Sequence, residues 1–247
     1  MAKLLVVEGS VIVRGVFKEL LEKYTDFQYN LVATYAQASE LLEKETYGYA
    51  VVERKLEDAS KGEIIALFNK HGIAPLVFTK EIDEVFFESF EGAQIVDYIL
   101  KQKYNNITHV VQKLKQLQEN KKTTTLVVSD SSTFGSYLKQ NLNIHKFNVL
   151  SAANNQEAYE KLEMNPDISL MIVDNIEPNI NALELIENIR QRRNKDSLKI
   201  IVLADKSNSY FTSSLLNAGA DDYIVKPFSR DEFYIRVYQN IQTIPLD

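Results

Sequence analysis

Three charged residues in the second half of the chain each follow a short apolar run. Asp130 follows LVVS, Asp174 follows MIV and Lys226 follows DYIV. In a parallel sheet such strand ends meet at one edge, so the two aspartates are expected to share a crevice. Paired carboxylates repel each other unless a cation joins them, and Mg²⁺ suits such oxygens. A lysine ammonium beside them can neutralise phosphoryl oxygens, so the spacing indicates phosphate chemistry with Mg²⁺.

The first half of the chain repeats this pattern with different residues at the strand ends. LLVVEGS at residues 4–10 corresponds to LVVSDSS at 126–132, and VDYILK at 96–101 to DDYIVK at 221–226. This self-similarity predicts two domains, residues 1–120 and 121–247. The matching positions, first half before second, are Glu8 and Ser129, Gly9 and Asp130, Glu53 and Asp174, Thr79 and Ala204, Tyr98 and Tyr223, and Lys101 and Lys226.

Short apolar runs alternate with segments of helical spacing in both halves. Runs such as Leu31–Thr34 and Leu170–Val173 are too short for helices, whereas Ala182–Arg192 has helical periodicity. Five strands, each followed by a helix, imply a parallel sheet with helices on both faces. The fold class predicted for each half is therefore doubly wound α/β.

The composition narrows the classes of function. The net charge is −6 at pH 7 and neither half is basic, which argues against a nucleic-acid partner. The chain has no cysteine, which excludes disulfides and Cys-ligated zinc, and its three histidines are far apart in sequence. No apolar run approaches the roughly 18 residues of a membrane span, and no signal-peptide pattern opens the chain. We expect a cytoplasmic protein without a membrane partner.

The segments LVVSDSS, IVDNIEP and AGADDYIVKPF together resemble the receiver domain of two-component response regulators. The resemblance covers nearly the whole chain as two tandem copies and implies two flavodoxin-like (βα)5 domains. It implies that Asp174 accepts a phosphoryl group from a histidine kinase or phosphotransfer protein and that Lys226 contacts this group. Pro178 matches the proline that follows the acceptor in the family.

The same resemblance implies a Mg²⁺ site in the second copy. Asp130, Asp174 and the backbone carbonyl of Ile176 would bind the ion. Ser129 stands where receivers usually have another acid, so one charge that would attract the metal is lost. Its hydroxyl can still hold a metal-bound water, and we expect weaker metal binding rather than none.

Two further positions of the second copy concern signal transmission. Tyr223 matches the aromatic residue whose rotamer responds to phosphorylation in receivers. Ala204 replaces the usual Thr or Ser, whose hydroxyl bonds the phosphoryl group. We therefore expect the second copy to transmit phosphorylation poorly.

The first copy departs further from the family. Glu53 replaces the acceptor aspartate, Gly9 replaces the second acid, and Glu57 stands at the proline position. The extra methylene of Glu53 disrupts the alignment that in-line transfer requires and lets its carboxylate reach Lys101. We predict an unphosphorylated domain with a Glu53–Lys101 ion pair, which either imitates the activated state or is a structural salt bridge. The copy retains Glu8, Thr79 and Tyr98.

The tandem layout resembles the paired receivers that precede a GGDEF diguanylate cyclase domain in some bacterial proteins. The framework segments that carry this resemblance are KGE at 61–63 and KPFSRDEFYIRVYQNI at 226–241, and the chain contains no GGDEF-like run. We expect a regulatory module that controls an attached or partner output. The first copy would then serve interaction or dimerisation, including a homodimer.

Other interpretations stay open at this point. In the first interpretation, both copies are scaffolds that act independently of phosphorylation, and Asp130, Asp174 and Lys226 are structural charges. In another, Asp130 is the nucleophile of an aspartate-based phosphatase, although the acid/base expected two residues later is replaced by Ser132. A flavin-binding variant of the fold would need a phosphate-cradling loop that neither half supplies.

Overall fold

The computed structural model describes residues 3–81, 92–101, 105–175, 180–205 and 209–241. The chain divides into two compact units, Met1–Gln118 and Glu119–Asp247. Each unit contains its own parallel sheet. Within the described ranges, none of the helices combines the length and apolar character that a membrane span requires.

Short apolar strands and amphipathic helices alternate in the first unit. The strands are β1 (Lys3–Val7), β2 (Gln28–Val32), β3 (Tyr49–Val52), β4 (Leu76–Thr79) and β5 (Asp97–Leu100). The described helices are α1 (Val11–Tyr24), α2 (Tyr35–Lys44), α3 (Glu63–Lys70) and α4 (Asn105–Asn120), the last of which reaches the boundary between the units. All strand pairs are parallel, in the order β2-β1-β3-β4-β5.

The second unit repeats this arrangement. Its strands are β6 (Thr124–Val128), β7 (Asn148–Ala152), β8 (Ile168–Asp174), β9 (Lys199–Ala204) and β10 (Asp222–Val225). Its described helices are α5 (Ser132–Ile144), α6 (Asn155–Met164), α7 (Ala182–Arg190), α8 (Ser209–Ala218) and α9 (Arg230–Ile241). The strand order is β7-β6-β8-β9-β10, again all parallel.

Alternate side chains of the second sheet enter different cores. Val128 and Val173 pack with residues of α6, α7 and α8, whereas Val127 and Ile172 pack with residues of α5 and α9. A sheet buried on both faces needs strands that are apolar at every position, which is why these runs do not alternate with polar residues. The prediction of an α/β fold with helices on both faces is confirmed.

The strand order changes direction beside β1 in the first unit and beside β6 in the second. Ligands of open α/β sheets bind outside the carboxyl ends of the strands at such switch points. The loops after β1 and β6 therefore lie where a functional site is expected. Ser10 and Ser131 end these loops as equivalent N-caps, and their hydroxyls accept hydrogen bonds from Val13 N and Phe134 N.

Two predicted boundaries were wrong. We predicted a strand at Leu31–Thr34, but β2 begins at Gln28 and ends at Val32. The Thr34 hydroxyl accepts a hydrogen bond from Gln37 N and caps α2, so it is not part of the strand. We also expected a helix from Ala182 to Arg192, but α7 ends at Arg190 and the amides of residues 192 and 193 turn back to the Ile189 carbonyl.

Candidate functional site

Asp174 is the last residue of β8, and its side chain is completely buried. The neighbouring strand β6 runs in register with β8, with Val128 opposite Val173. The next residues, Ser129 and Asp174, are therefore neighbours at the strand ends. The Ser129 hydroxyl donates a hydrogen bond to Asp174 Oδ2 at 2.9 Å. This register, rather than sequence proximity, supplies the first partner of the buried carboxylate.

Lys226 supplies the second partner of Asp174. Its Nζ lies 2.8 Å from Asp174 Oδ1, and its backbone amide donates to the Ala204 carbonyl at 2.7 Å. Val225 is paired with Ala204 across β9 and β10, which fixes where the lysine leaves the sheet. Both oxygens of the buried aspartate are thus held by described side chains.

Asp205 is a partner of Lys226 that the sequence analysis did not identify. Its Oδ1 lies 2.6 Å from Lys226 Nζ, and its side chain is 69% exposed. The residue follows Ala204 directly, so it lies beside Lys226 at the ends of two adjacent strands. The available signal was an acid immediately after the fourth apolar run of the second half. Lys226 therefore bridges one buried and one exposed carboxylate.

The environment of Lys226 keeps its ammonium charged. Burial is the largest influence on its pKa and acts to lower it. The hydrogen bonds with Asp174 and Asp205, together with the attraction of both carboxylates, outweigh burial and raise the pKa. The ammonium also lies 5.4 Å from the centre of the Phe134 ring, within the range of a cation–π contact. A fixed positive charge is thus present beside Asp174.

The equivalent site of the first unit is a buried cluster of two carboxylates and a lysine. Lys101 Nζ lies 2.6 Å from Glu8 Oε2 and 2.6 Å from Glu53 Oε1. The three side chains are between 2% and 10% exposed. Gly9 N donates to Glu53 Oε2 at 3.1 Å, and Ser10 N donates to Glu8 Oε1 at 3.0 Å. The expected Glu53–Lys101 ion pair is present, and Glu8 is an additional member that the sequence analysis did not place in it.

The two carboxyl groups of this cluster differ in their affinity for a proton. The pKa of Glu8 is raised, chiefly because burial disfavours its charged form. Burial also acts on Glu53 as the largest influence, but hydrogen bonds with Lys101 and Glu8 outweigh it and lower the pKa of Glu53. Of the two carboxyl groups, Glu8 therefore binds a proton more readily than Glu53.

Other predicted residues of the first unit lie near the ends of β4 and β5. Thr79 is buried, and its hydroxyl donates to the Glu81 carbonyl at 3.1 Å. Tyr98 is half-buried and packs against the core of the unit. Glu57 is exposed in the loop after β3. The polar atoms that surround Glu53 within the described contacts come from Gly9, Lys101 and Glu8.

The family of the second unit follows from its sequence. Residues 125–238 match the family model for the response regulator receiver domain. These residues are a response regulator receiver domain. Receiver domains act in two-component signalling, and both units of the chain have the flavodoxin-like fold of a receiver.

One curated relative matches about half of the chain, and two solved structures match nearly all of it. The response regulator ArlR of Staphylococcus aureus is 35% identical over 115 residues, which cover 47% of this chain and 51% of the relative. The chain thus spans about half the length of this curated relative. Two solved structures of two-component system response regulator/GGDEF domain proteins have TM-scores of 0.85 and 0.82, at 28% and 27% identity. Each comparison covers 98% of both chains.

Receiver domains generally bind Mg²⁺ at the phosphorylation site, and the second unit has carboxylates that could bind this ion. Asp130 follows Ser129 and is half-buried, so the strand ends supply two carboxylates, Asp130 and Asp174. One or two carboxylates completed by water and phosphate oxygens suffice for Mg²⁺. Ile176 and Pro178 lie outside the described residues. No group of three or more acidic, histidine or cysteine side chains in the described ranges is arranged as a metal cage.

The two residues predicted to act in signal transmission lie on neighbouring strands. Ala204 ends β9, is 4% exposed and has no hydroxyl. Tyr223 is half-buried in β10 and packs against the core on the side of α6, α7 and α8. The polar side chain nearest in sequence to Ala204 is that of Asp205, which binds Lys226. A carboxylate thus stands one residue after the position at which the first unit has the hydroxyl of Thr79.

Proposed function

We propose that the chain is a regulatory module of two-component signalling in which the second receiver accepts a phosphoryl group on Asp174. The donor is a histidine kinase or a phosphotransfer protein. The observation that carries the proposal is the buried Asp174 carboxylate at the end of β8, with Lys226 Nζ at 2.8 Å. A carboxylate in this setting has a cation beside it that can stabilise an added phosphoryl group.

In the proposed transfer, an oxygen of Asp174 attacks the phosphorus of a phosphohistidine in line with the leaving nitrogen. The new oxygen–phosphorus bond forms as the nitrogen–phosphorus bond breaks. The imidazole nitrogen keeps the electron pair and takes up a proton from water. Lys226 faces the negative charge on the phosphoryl oxygens, and Ser129 orients the other carboxylate oxygen through its hydroxyl. The product is an acyl phosphate on the second receiver.

Asp130 and Asp174 would hold Mg²⁺ in this receiver, with the Ser129 hydroxyl bound to a water of the ion. The ion, when bound, supplies positive charge to the phosphoryl oxygens. One acid fewer than usual at the end of β6 is expected to weaken its binding.

The first unit is proposed to be an interaction or dimerisation domain that is not phosphorylated. Its Glu53 side chain is longer than an aspartate by one methylene, which moves the carboxylate out of the alignment that in-line transfer requires. The two solved structures that match 98% of the chain are of response regulator/GGDEF domain proteins, which supports a GGDEF output, attached or in a partner, as the target of regulation. A scaffold that ignores phosphorylation is the second candidate, and the absence of a hydroxyl at Ala204 favours it.

Labelling with acetyl phosphate tests the proposal. The 247-residue chain is incubated with acetyl phosphate and Mg²⁺, and the added mass is located by peptide mapping. We expect one phosphoryl group on Asp174, none after chelation of Mg²⁺ and none in Asp174→Asn. Glu53→Gln serves as the matched control and should leave the labelling unchanged. An unlabelled wild-type chain would contradict phosphorylation and favour the scaffold.

A further inference from the structure

The two lysines of the duplicated sites bind different second acids. In the first unit Lys101 binds Glu53 and Glu8, both of which are buried. In the second unit the position of Glu8 is taken by Ser129, which cannot neutralise an ammonium. Lys226 instead binds Asp174 and the largely exposed Asp205. The second acid thus follows the first strand in the first unit, whereas it follows the fourth strand in the second unit.

The sequence after the fourth strand shows the same exchange. Thr79 is followed by Lys80 in the first unit, whereas Ala204 is followed by Asp205 in the second. The backbone is alike at both places, because Lys101 N donates to the Thr79 carbonyl at 2.8 Å and Lys226 N to the Ala204 carbonyl at 2.7 Å. The register that brings the lysine beside this position is therefore common to both units. Only the second unit has an acid there to bind it.

The exposure of Asp205 distinguishes it from the other carboxylates on these lysines. Its side chain is 69% exposed, whereas Asp174 is completely buried. An exposed carboxylate loses little when its ion pair breaks, because water replaces the partner. A buried carboxylate that lost its cation would be left uncompensated. Asp205 is thus the partner of Lys226 that can leave.

We propose that Asp205 is an exchangeable counter-ion of Lys226, bound to it before phosphorylation and displaced by the phosphoryl group afterwards. The inference rests on the proposed function of Asp174 as the acceptor. A phosphoryl group brings close to two negative charges and three acceptor oxygens to the site. These oxygens compete for Lys226, and their charge repels the nearby Asp205 carboxylate.

This exchange gives Asp205 two consequences for the receiver. Before phosphorylation Asp205 binds the Lys226 ammonium, which an incoming phosphoryl group needs. Asp205 is therefore a positioning residue that slows the transfer. After phosphorylation the Asp205 side chain is released from Lys226. The receiver would then signal by expelling a carboxylate, in place of the hydroxyl contact that Ala204 cannot make.

The test compares Asp205→Asn with wild type in the full chain. Asp196→Asn is the matched control, because it removes the same charge from an exposed loop between α7 and β9. The rate of phosphorylation at Asp174 by acetyl phosphate with Mg²⁺ is followed by mass spectrometry. Asp205→Asn should react about two- to five-fold faster, the size expected for losing one solvent-exposed ion pair, and Asp196→Asn should match wild type.

A second measurement reports on Lys226 without phosphorylation. An amine-acylating reagent is applied to the resting chain, and modification of Lys226 is quantified by peptide mapping. Loss of Asp205 should increase it, because the ammonium loses a partner that favours its charged form. If wild type is phosphorylated, and Asp205→Asn has the same phosphorylation rate and the same Lys226 reactivity, the inference is overturned but the proposed function stands. Absence of phosphate on both wild type and Asp205→Asn overturns the proposed function and the inference with it.

Discussion

At the scale of single residues, the Glu8–Glu53–Lys101 cluster couples the first unit to pH. The raised pKa of Glu8 means that its contribution to stability is fully present below its ordinary pKa of 4.5 and is lost as the pH rises through the folded value. The lowered pKa of Glu53 has the opposite sign, so its contribution is present above 4.5 and is lost as the pH falls. Of these two groups, only Glu8 therefore makes the stability of the first unit change with pH above 4.5.

This sign predicts the behaviour of Glu8→Gln. The amide of glutamine cannot ionise, so the variant escapes the cost of charging a buried carboxyl group. Its stability relative to wild type should increase as the pH rises from about 4.5 to 7.5. Protection factors for hydrogen exchange in β1 and β3 measure this in the full chain. Glu40→Gln on the exposed face of α2 is the control, and a pH-independent difference for Glu8→Gln would contradict the assignment.

Residue types alone predicted which side chains lie at the strand ends but not all of their contacts. Asp174 and Lys226 could be placed together because each ends an apolar run of a parallel sheet. Asp205 was missed because the sequence showed the loss of a hydroxyl at Ala204 but not that the next side chain would bind Lys226. Glu8 was placed at the strand end, but its contact with Lys101 depends on strand register and on burial.

At the scale of elements, Arg190 holds the carboxyl end of α7 to the start of β9 and β10. Its guanidinium donates to the carbonyls of Gly219 and Leu198 at 2.9 Å and binds Asp221 at 2.8 Å. Gly219 lies against this side chain with φ at +112°. A Cβ at residue 219 would lie 2.7 Å from Arg190 Cγ. The glycine is required both by its backbone conformation and by the close arginine.

Gly219→Ala tests this packing. We expect a loss of about 1–3 kcal/mol in the free energy of unfolding of the second unit, from the strained backbone and the displaced arginine. Gly135→Ala is a matched control in α5, because its Cβ would meet Ser129 Cβ at an ordinary 3.5 Å. That change should stabilise the helix by roughly 0.5–1 kcal/mol. Thermal unfolding of both variants measures the difference, and equal effects would refute the role of Gly219.

The elements also show where sequence patterns fail. Apolar runs identified the central strands because those strands are buried on both faces. The edge strand β2 contains Gln28 and Asn30 and is only partly buried, so its pattern placed the strand too late. Thr34 suits a strand by residue type, yet its hydroxyl caps α2. Local capping chemistry decided that boundary.

At the scale of the whole molecule, the duplication has produced two sites with complementary losses. The first unit retains Thr79 and the lysine but has a glutamate in place of the acceptor. The second unit has Asp174, the proposed acceptor, and Lys226, but Ala204 and Asp205 stand where the first unit has Thr79 and Lys80. A comparison of strand ends revealed this asymmetry, because the fold brings equivalent positions to equivalent places. Phosphorylation is therefore proposed for one half only.

The asymmetry predicts that two substitutions can move acceptor chemistry to the first unit. Glu53→Asp shortens the side chain at the acceptor position, and Gly9→Asp adds an acid beside Glu8. Both are made in an Asp174→Asn background, which removes the proposed acceptor of the second unit. A Cβ at residue 9 would lie 3.4 Å from Glu53 Oε2, and shortening residue 53 makes room for the new side chain. Two acids at the end of β1 also provide a better Mg²⁺ site than Glu8 alone.

With acetyl phosphate and Mg²⁺, this combined variant should gain a phosphoryl group at residue 53, whereas Asp174→Asn alone should gain none. Gly9→Asp in the same background is the matched control and should stay unlabelled, because the longer Glu53 side chain remains misaligned for in-line attack. Peptide mapping locates the group. A combined variant that folds, as judged by hydrogen exchange in β1 and β3, but gains no phosphate would show that more than these two positions separates the first site from an acceptor.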